Sequence, residues 1–342
     1  MTSRAFITGV SGLVLTADER AFLRAARPWG FILFKRNIDS PSQVSGLVDE
    51  LRRSIDDEGA PVLIDQEGGR VQRLGPPHWP VYPPGAIFAM LYGADPKAGT
   101  RAAFLASRLI AADLTDLGIT VDCLPLADVP VAGADAVIGN RAYGTTPDQV
   151  AVIARAVTDG LEQGGVLPVL KHIPGHGRAT ADSHHRLPVV DTPAAELDQT
   201  DFAAFRPLAD LPMAMTAHVV FSALDATQPA TTSATMIERV IRGSIGFQGL
   251  LMSDDVSMNA LQGTIALRTS AALAAGCDIA LHCNGILDEM REVAAAAPLL
   301  AGLPLQRADA ARAARKPAQP LDRAAARAEL NDLLARAEGL SA

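Results

Sequence analysis

The chain has 342 residues, 49% apolar and 20% charged, with a mean hydropathy of +0.17; it can bury enough apolar surface to offset the entropy of ordering, which excludes general disorder. A formal charge of −8 without a basic cluster excludes nucleic acid as a principal partner. The N-terminus has no basic start followed by a sustained apolar run, and no apolar run reaches membrane-spanning length, so a cytoplasmic protein without a membrane segment is expected.

The length suits one (β/α)8 TIM barrel better than two small domains, so a single α/β catalytic domain over residues 1–342 is expected, irregular at most in its first strands. Short apolar runs that read as strands fall at 5–8, 30–34, 61–64, 120–124, 166–170, 213–216, 249–252 and 278–281, with helix-like stretches between them. Strand and helix alternating at a spacing of roughly 30 to 50 residues is the rhythm of such a barrel. Thr16 with Glu19 three residues on forms a capping-box pattern at a helix start. Ser40 and Pro41 open a second helix, and Thr146 with Pro147 a third that runs to about residue 162.

Residues 75–93 carry five prolines and several aromatics and read as an irregular wrap around the barrel mouth. There Trp79 or Tyr82 either stacks on a sugar or pins the segment to the body. Residues 303–342, rich in Ala, Arg and Leu, read as one closing helix. Cys123, Cys277 and Cys283 form no CxxC pair and read as small buried hydrophobes.

What stands at the strand ends carries the chemistry. Asp65 follows the third strand, Lys171 and His172 the fifth, His218 the sixth, and Ser253, Asp254 and Asp255 the seventh. In a parallel barrel these positions converge on one mouth. Asp254 is then a candidate nucleophile or base, with Asp255 beside it as the alternative, and Asp65 is a second carboxylate. The stretch KHIPGHGRATADSHH, residues 171–185, packs four His, one Lys and one Asp after a strand, which suits a working loop better than scaffold. Within it Asp182 and His184 lie two apart and face one side of an extended loop, so the carboxylate can orient the imidazole for proton transfer near neutrality. His176 and His185 read as loop residues bonding to backbone, and His218 either reaches substrate or is satisfied within the barrel top. Gly68, Gly69, Gly175 and Gly177 read as turn positions needing positive φ.

Six pieces, DQEGGRVQRL from Asp65, VIGNRAYG from Val137, KHIPGHGRATADSH from Lys171, MTAHVVF from Met215, SDDVSM from Ser253 and AGCD from Ala275, lie in one order along nearly the whole chain. In these the chain resembles glycoside hydrolase family 3, and within it the single-domain NagZ-type β-N-acetylglucosaminidases. The resemblance implies a retaining exo-enzyme with Asp254 as nucleophile and His184, held by Asp182, as proton donor. It implies that Asp65, Arg73, Arg141, Lys171 and His172 bind the terminal GlcNAc. It further implies no cofactor and no metal, a monomer, and a GlcNAc-containing muropeptide or chitobiose-like saccharide as substrate, met in the cytoplasm during peptidoglycan recycling. Two rivals stand beside it: a metal-dependent hydrolase built on His172, His176, His184, His218 and His282, and a sugar-binding protein without turnover. Transfer of the sugar to phosphate instead of water is left open.

Overall fold

A computed structural model describes residues 3–183 and 186–341. Its main sheet is wholly parallel: β1 (Arg4–Thr8), β2 (Pro28–Leu33), β3 (Val62–Ile64), β4 (Val121–Asp122), β5 (Leu167–Pro168 continuing as Leu170–Ile173), β6 (Met213–Thr216), β7 (Leu250–Asp255) and β8 (Ile279–His282). The two segments of β5 stand at opposite ends of the strand order, and because they are one continuous run through Val169 the sheet closes on itself. The Val169 N–H donates to Leu124 O at 2.7 Å, and the Ala127 N–H to Lys171 O at 2.7 Å, completing the seam. β8 pairs with β1, so the eight strands form the expected barrel. The irregularity expected early is a register shift between β1 and β2.

Strand alternation divides the core into two layers. Ile7, Ile32, Leu63, Val121, Val169, Met215, Met252 and Leu281 point inward and fill the lumen, with Trp29 buried among them. Their neighbours Leu33, Ile64, Leu170, Ala214 and Leu251 point outward beneath the helices. The helices are amphipathic and bury the inward stripe. α1 (Ala17–Ala26) starts as expected: the Glu19 N–H donates to Thr16 Oγ at 3.1 Å and the Thr16 N–H to Glu19 at 2.8 Å. α2 (Pro41–Ser54) begins with proline at its first position, where the missing N–H costs nothing.

Several sequence expectations are corrected. The stretch 75–93 is not irregular throughout, because α3 (Gly85–Ala94) begins directly after Pro84. Proline is excluded from a helix interior but not from the residues before it. α4 (Pro96–Asp116) follows, and α5 (Pro147–Gln163) packs against it. Tyr82 is buried, donates its hydroxyl to Asp113 at 2.6 Å and accepts from Arg327 at 2.9 Å, so it pins the segment to the body and stacks on no sugar. Trp79 is buried too and lies outside the lining of the barrel-mouth cavity.

Beyond α6 (Ala194–Gln199), a π-helical stretch (Met236–Ser244), α7 (Ile265–Ala275) and α8 (Leu287–Ala296), the closing element is two helices instead of one. α9 (Gly302–Ala314) contributes Ala308 and Ala311 to the lumen cluster, and α10 (Arg323–Ser341) lies on α3 and α4 through Ala326, Leu330 and Leu333. Pro317 and Pro320 in the segment between them break the helical run that composition suggested. The three cysteines are free and buried, as expected.

Candidate active site

A cavity of about 270 Å³ opens at the carboxyl ends of the strands. It is bordered by Asp65, Arg73, Arg141, Lys171, His172, Asp182, Asp254 and Asp255, so residues far apart in the chain meet there. Met215 and Leu281 from the barrel lumen also border it. His184 and His185 lie outside the described residues.

β5 and β7 run further than the apolar pattern predicts. Lys171 and His172 lie within β5, and Ser253, Asp254 and Asp255 within β7, where only their apolar beginnings were expected to be strand. In β5, carboxylates hold Lys171 and His172; in β7, backbone N–H groups and the Ser257 hydroxyl satisfy Asp255.

Those partners form an alternating chain of charge. Arg141 grips Glu67 with two bonds, Nε to Oε2 at 2.8 Å and Nη2 to Oε1 at 2.7 Å. Lys171 Nζ lies 2.6 Å from Glu67 Oε1 and 3.0 Å from Asp65 Oδ1. Arg73 Nη2 then donates to Asp65 Oδ2 at 2.8 Å. Burial raises the Asp65 and Glu67 carboxyls, but the cations on each side outweigh it, holding Asp65 well below the usual range and Glu67 at about 2. Burial by itself lowers Lys171, and Asp65 and Glu67 reverse that and push it up. All five groups are therefore charged at neutral pH, and Asp65 is placed to accept hydrogen bonds, not to act as a proton source.

Local structure sets the chain's geometry. After Asp65 the backbone forms a hairpin of Gln66–Gly68 with Val71–Gln72, and Gly68 and Gly69 turn it at φ of 96° and 56°. A side chain at Gly68 would start 2.4 Å from Pro83 O. The Gln66 side chain accepts from the Arg73 and Leu74 N–H groups at 3.0 and 2.9 Å, returning Arg73 toward Asp65. The Arg73 guanidinium also stacks on Phe34, 5.1 Å from the ring centroid, with Arg36 at 5.0 Å from the same ring.

His172 has a partner of its own. Its Nδ1 lies 2.7 Å from Asp128 Oδ2, and Asp128, fully buried, also accepts the His176 N–H at 2.7 Å. His176 Nε2 meets Ser183 Oγ at 3.1 Å. Burial, with His172 nearby, lowers His176 to about 4, so its ring is neutral at pH 7. Gly175 takes a φ of 141°, whereas Gly177, expected to need positive φ, is instead a close approach: a Cβ there would lie 2.1 Å from Val129 O.

On the other side, the Asp254 N–H donates to Thr216 Oγ1 at 3.3 Å, and Asp254 Oδ1 accepts the Asp255 N–H at 2.8 Å. The neighbouring Asp255 carboxylate is spent on scaffold: Oδ1 accepts from the Ser257 and Cys283 N–H groups at 2.9 and 3.1 Å, and Oδ2 from the Ser257 hydroxyl at 2.6 Å. His218 is fully buried, donating from Nε2 to Asp255 O at 2.9 Å with Nδ1 2.7 Å from Thr231 Oγ1, and does not border the cavity. Among the described residues, no group of three or more His, Cys, Asp or Glu is arranged to hold a metal ion. Among the described residues, no helix is long and apolar enough to cross a membrane.

Sequence reasoning missed two members of this site. Glu67 lies two residues beyond Asp65, on the same face of an extended run, a signal present in the motif but passed over. Asp128 is the lone carboxylate in the apolar stretch after β4, and a buried charge in such a stretch needs a partner.

The model for the glycosyl hydrolase family 3 N terminal domain matches residues 12–314. A protein named beta-hexosaminidase from Bordetella avium (strain 197N) is 37% identical over 281 residues, 80% of this chain and 79% of the relative. Another of that name, from Chromobacterium violaceum, is 38% identical over 293 residues, 84% and 81% of the two chains. The crystal structure of NagZ from Neisseria gonorrhoeae in complex with N-trifluoroacetyl-D-glucosamine superposes with a TM-score of 0.84 at 30% identity, covering 100% of this chain and 99% of that one. With that match along its length and a charged pocket at the barrel's carboxyl end, the chain belongs to glycosyl hydrolase family 3 and is a glycoside hydrolase.

Proposed function

We propose that the protein is a retaining exo-β-N-acetylglucosaminidase that uses Asp254 as nucleophile. The observation that carries this reading is the facing of two unlike walls across one small cavity. One wall is the fixed charge chain of Arg141, Glu67, Lys171, Asp65 and Arg73, suited to hydroxyls; the other is the Asp254 carboxylate, which borders the cavity and accepts the Asp255 N–H at Oδ1, whereas Asp255 turns both its oxygens to Ser257 and Cys283. A cavity of about 270 Å³ matches one terminal sugar better than an extended chain, which favours exo action. The names of the relatives supply a hexosamine, and the N-trifluoroacetyl-D-glucosamine in the Neisseria gonorrhoeae NagZ complex supports an N-acylated glucosamine.

In this reading Asp65, Arg73, Arg141, Lys171 and His172 hold the terminal GlcNAc with its anomeric carbon over Asp254. Asp254 forms a glycosyl ester as His184, oriented by Asp182, protonates the departing oxygen. His184 then takes a proton from water, which attacks the anomeric carbon and frees Asp254. The substrate in the cell is a muropeptide carrying GlcNAc, met in the cytoplasm during peptidoglycan recycling, and the enzyme acts as a monomer without metal or cofactor.

The test is turnover of an aryl GlcNAc β-glycoside by wild type and Asp254→Ala. We expect retained β-configuration in the first product and a fall in kcat/KM on the order of 10³-fold or more in the variant. Product analysis with and without phosphate identifies the acceptor. Near-normal turnover by Asp254→Ala, or a first product of α-configuration, would refute the mechanism.

A further inference from the structure

We propose that Asp128 is a positioning residue that fixes the His172 ring as its Nδ1–H tautomer, so that Nε2 meets the sugar as a hydrogen-bond acceptor. The inference rests on the reading of the cavity as a sugar site. Asp128 is fully buried, and both carboxylate oxygens face donors: Oδ1 takes the His176 N–H at 2.7 Å, and Oδ2 lies 2.7 Å from His172 Nδ1. The His172 N–H approaches both oxygens at 3.3 Å. A carboxylate accepts only, so the proton between Asp128 and His172 belongs to Nδ1. In a neutral ring that leaves Nε2 without a proton, on the edge away from Asp128, while the residue borders the cavity.

The arrangement matters because the neighbouring cavity side chains are already committed. Lys171, Arg141 and Arg73 only donate, and the chain of charge leaves Asp65 as the acceptor on that wall. An acceptor at His172 Nε2 allows a second hydroxyl to give its proton while receiving hydrogen bonds from the cations. The family resemblance implied a sugar contact for His172 and no role for Asp128.

Asp128→Asn tests this sharply, since the side chains have the same shape but an NH2 donor replaces one carboxylate oxygen and the charge is lost. The His176 N–H can only donate, so the Asn oxygen must stay opposite it, and the NH2 group then faces His172 Nδ1. Nδ1 becomes an acceptor and the ring proton moves to Nε2.

The experiment is 15N NMR of imidazole-labelled wild type and Asp128→Asn, with His172 assigned from a His172→Gln spectrum, alongside kcat/KM on an aryl GlcNAc β-glycoside. We expect an Nδ1–H ring in wild type and an Nε2–H ring in Asp128→Asn. We also expect a fall of about 10- to 100-fold in kcat/KM for the single variant, as for other residues that orient a functional imidazole, and little further loss when it is added to His172→Gln. A wild-type ring protonated at Nε2 alone overturns the proposal even if Asp128→Asn does not fold. Losses that multiply in the double variant also overturn it, because Asp128 would then act independently of His172. Wild type inactive on every GlcNAc β-glycoside sinks the functional reading, whereas the tautomer in the spectrum still decides the role of Asp128.

Discussion

Replacing Glu67 by Gln is the most direct test of the charge chain. The side chain is 4% exposed and accepts from Arg141 at both oxygens while Lys171 approaches one of them at 2.6 Å. Gln keeps the shape but replaces one accepting oxygen with an NH2 that must face a cation. The carboxyl is lowered from an ordinary 4.5 to about 2, and a shift of that size corresponds to about 3 kcal/mol of folding stability. Breaking a buried pair by removing one partner costs about 3 to 5 kcal/mol, the same order. We therefore expect Glu67→Gln to lose about 3 kcal/mol at pH 7. Because the folded pKa is depressed, this stability is present above the unfolded value near 4.5 and is lost as pH falls toward 2. The gap between wild type and variant should accordingly shrink to about 2 kcal/mol at pH 4. Urea unfolding at pH 7 and pH 4 measures both values. Equal midpoints at pH 7, or a gap that does not change between the two, would refute the reasoning.

Other perturbations separate scaffold from site. Tyr82→Phe removes a hydroxyl shared by Asp113 and Arg327 and should cost about 1 to 3 kcal/mol in chemical unfolding, with kcat/KM unchanged. Thr16→Ala breaks the capping box of α1 and should cost about 1 kcal/mol, read from the same curves. His176 is lowered from 6.5 to about 4, so the unfolded chain takes up its proton first: stability should fall as pH drops from 6.5 to 4. A His176→Gln variant, compared by midpoint over that range, should show a shallower decline.

The barrel was legible because its strands are short apolar runs bounded by polar residues, and period alone identifies them. The start of α1 was legible because a capping box is a local device whose parts lie three residues apart. The upper ends of β5 and β7 were not, since Lys171 and Asp254 look like loop residues until their surroundings are known. Lys171 remains in a strand because Asp65 and Glu67, more than 100 positions away, surround its ammonium group. Asp128 was passed over for the same reason: its partners His172 and His176 lie 44 and 48 positions on. α3 was hidden by a different cause, a cluster of prolines that ends where the helix begins. Convergence at the barrel mouth was predictable from topology; which groups pair within it depends on distances that no spacing rule contains.

The direction of the shifts in that mouth divides its work. In the chain from Arg141 to Arg73 the carboxylates are driven down and Arg141, Lys171 and Arg73 are driven up, each by the opposite charge beside it. Such groups cannot exchange protons with a substrate near neutrality, because each change of charge would strand its neighbours in a buried site. They are suited to holding a sugar with fixed polarity, and Asp128, itself held down by His172 and His176 against its burial, extends that fixity to the imidazole. Proton transfer must then come from the cavity groups outside the chain, beside the loop that carries Asp182. Any ionisation near neutrality in the pH profile of kcat/KM should survive Lys171→Arg, which keeps the charge; a profile whose inflection moved with that substitution would place the working proton within the chain instead.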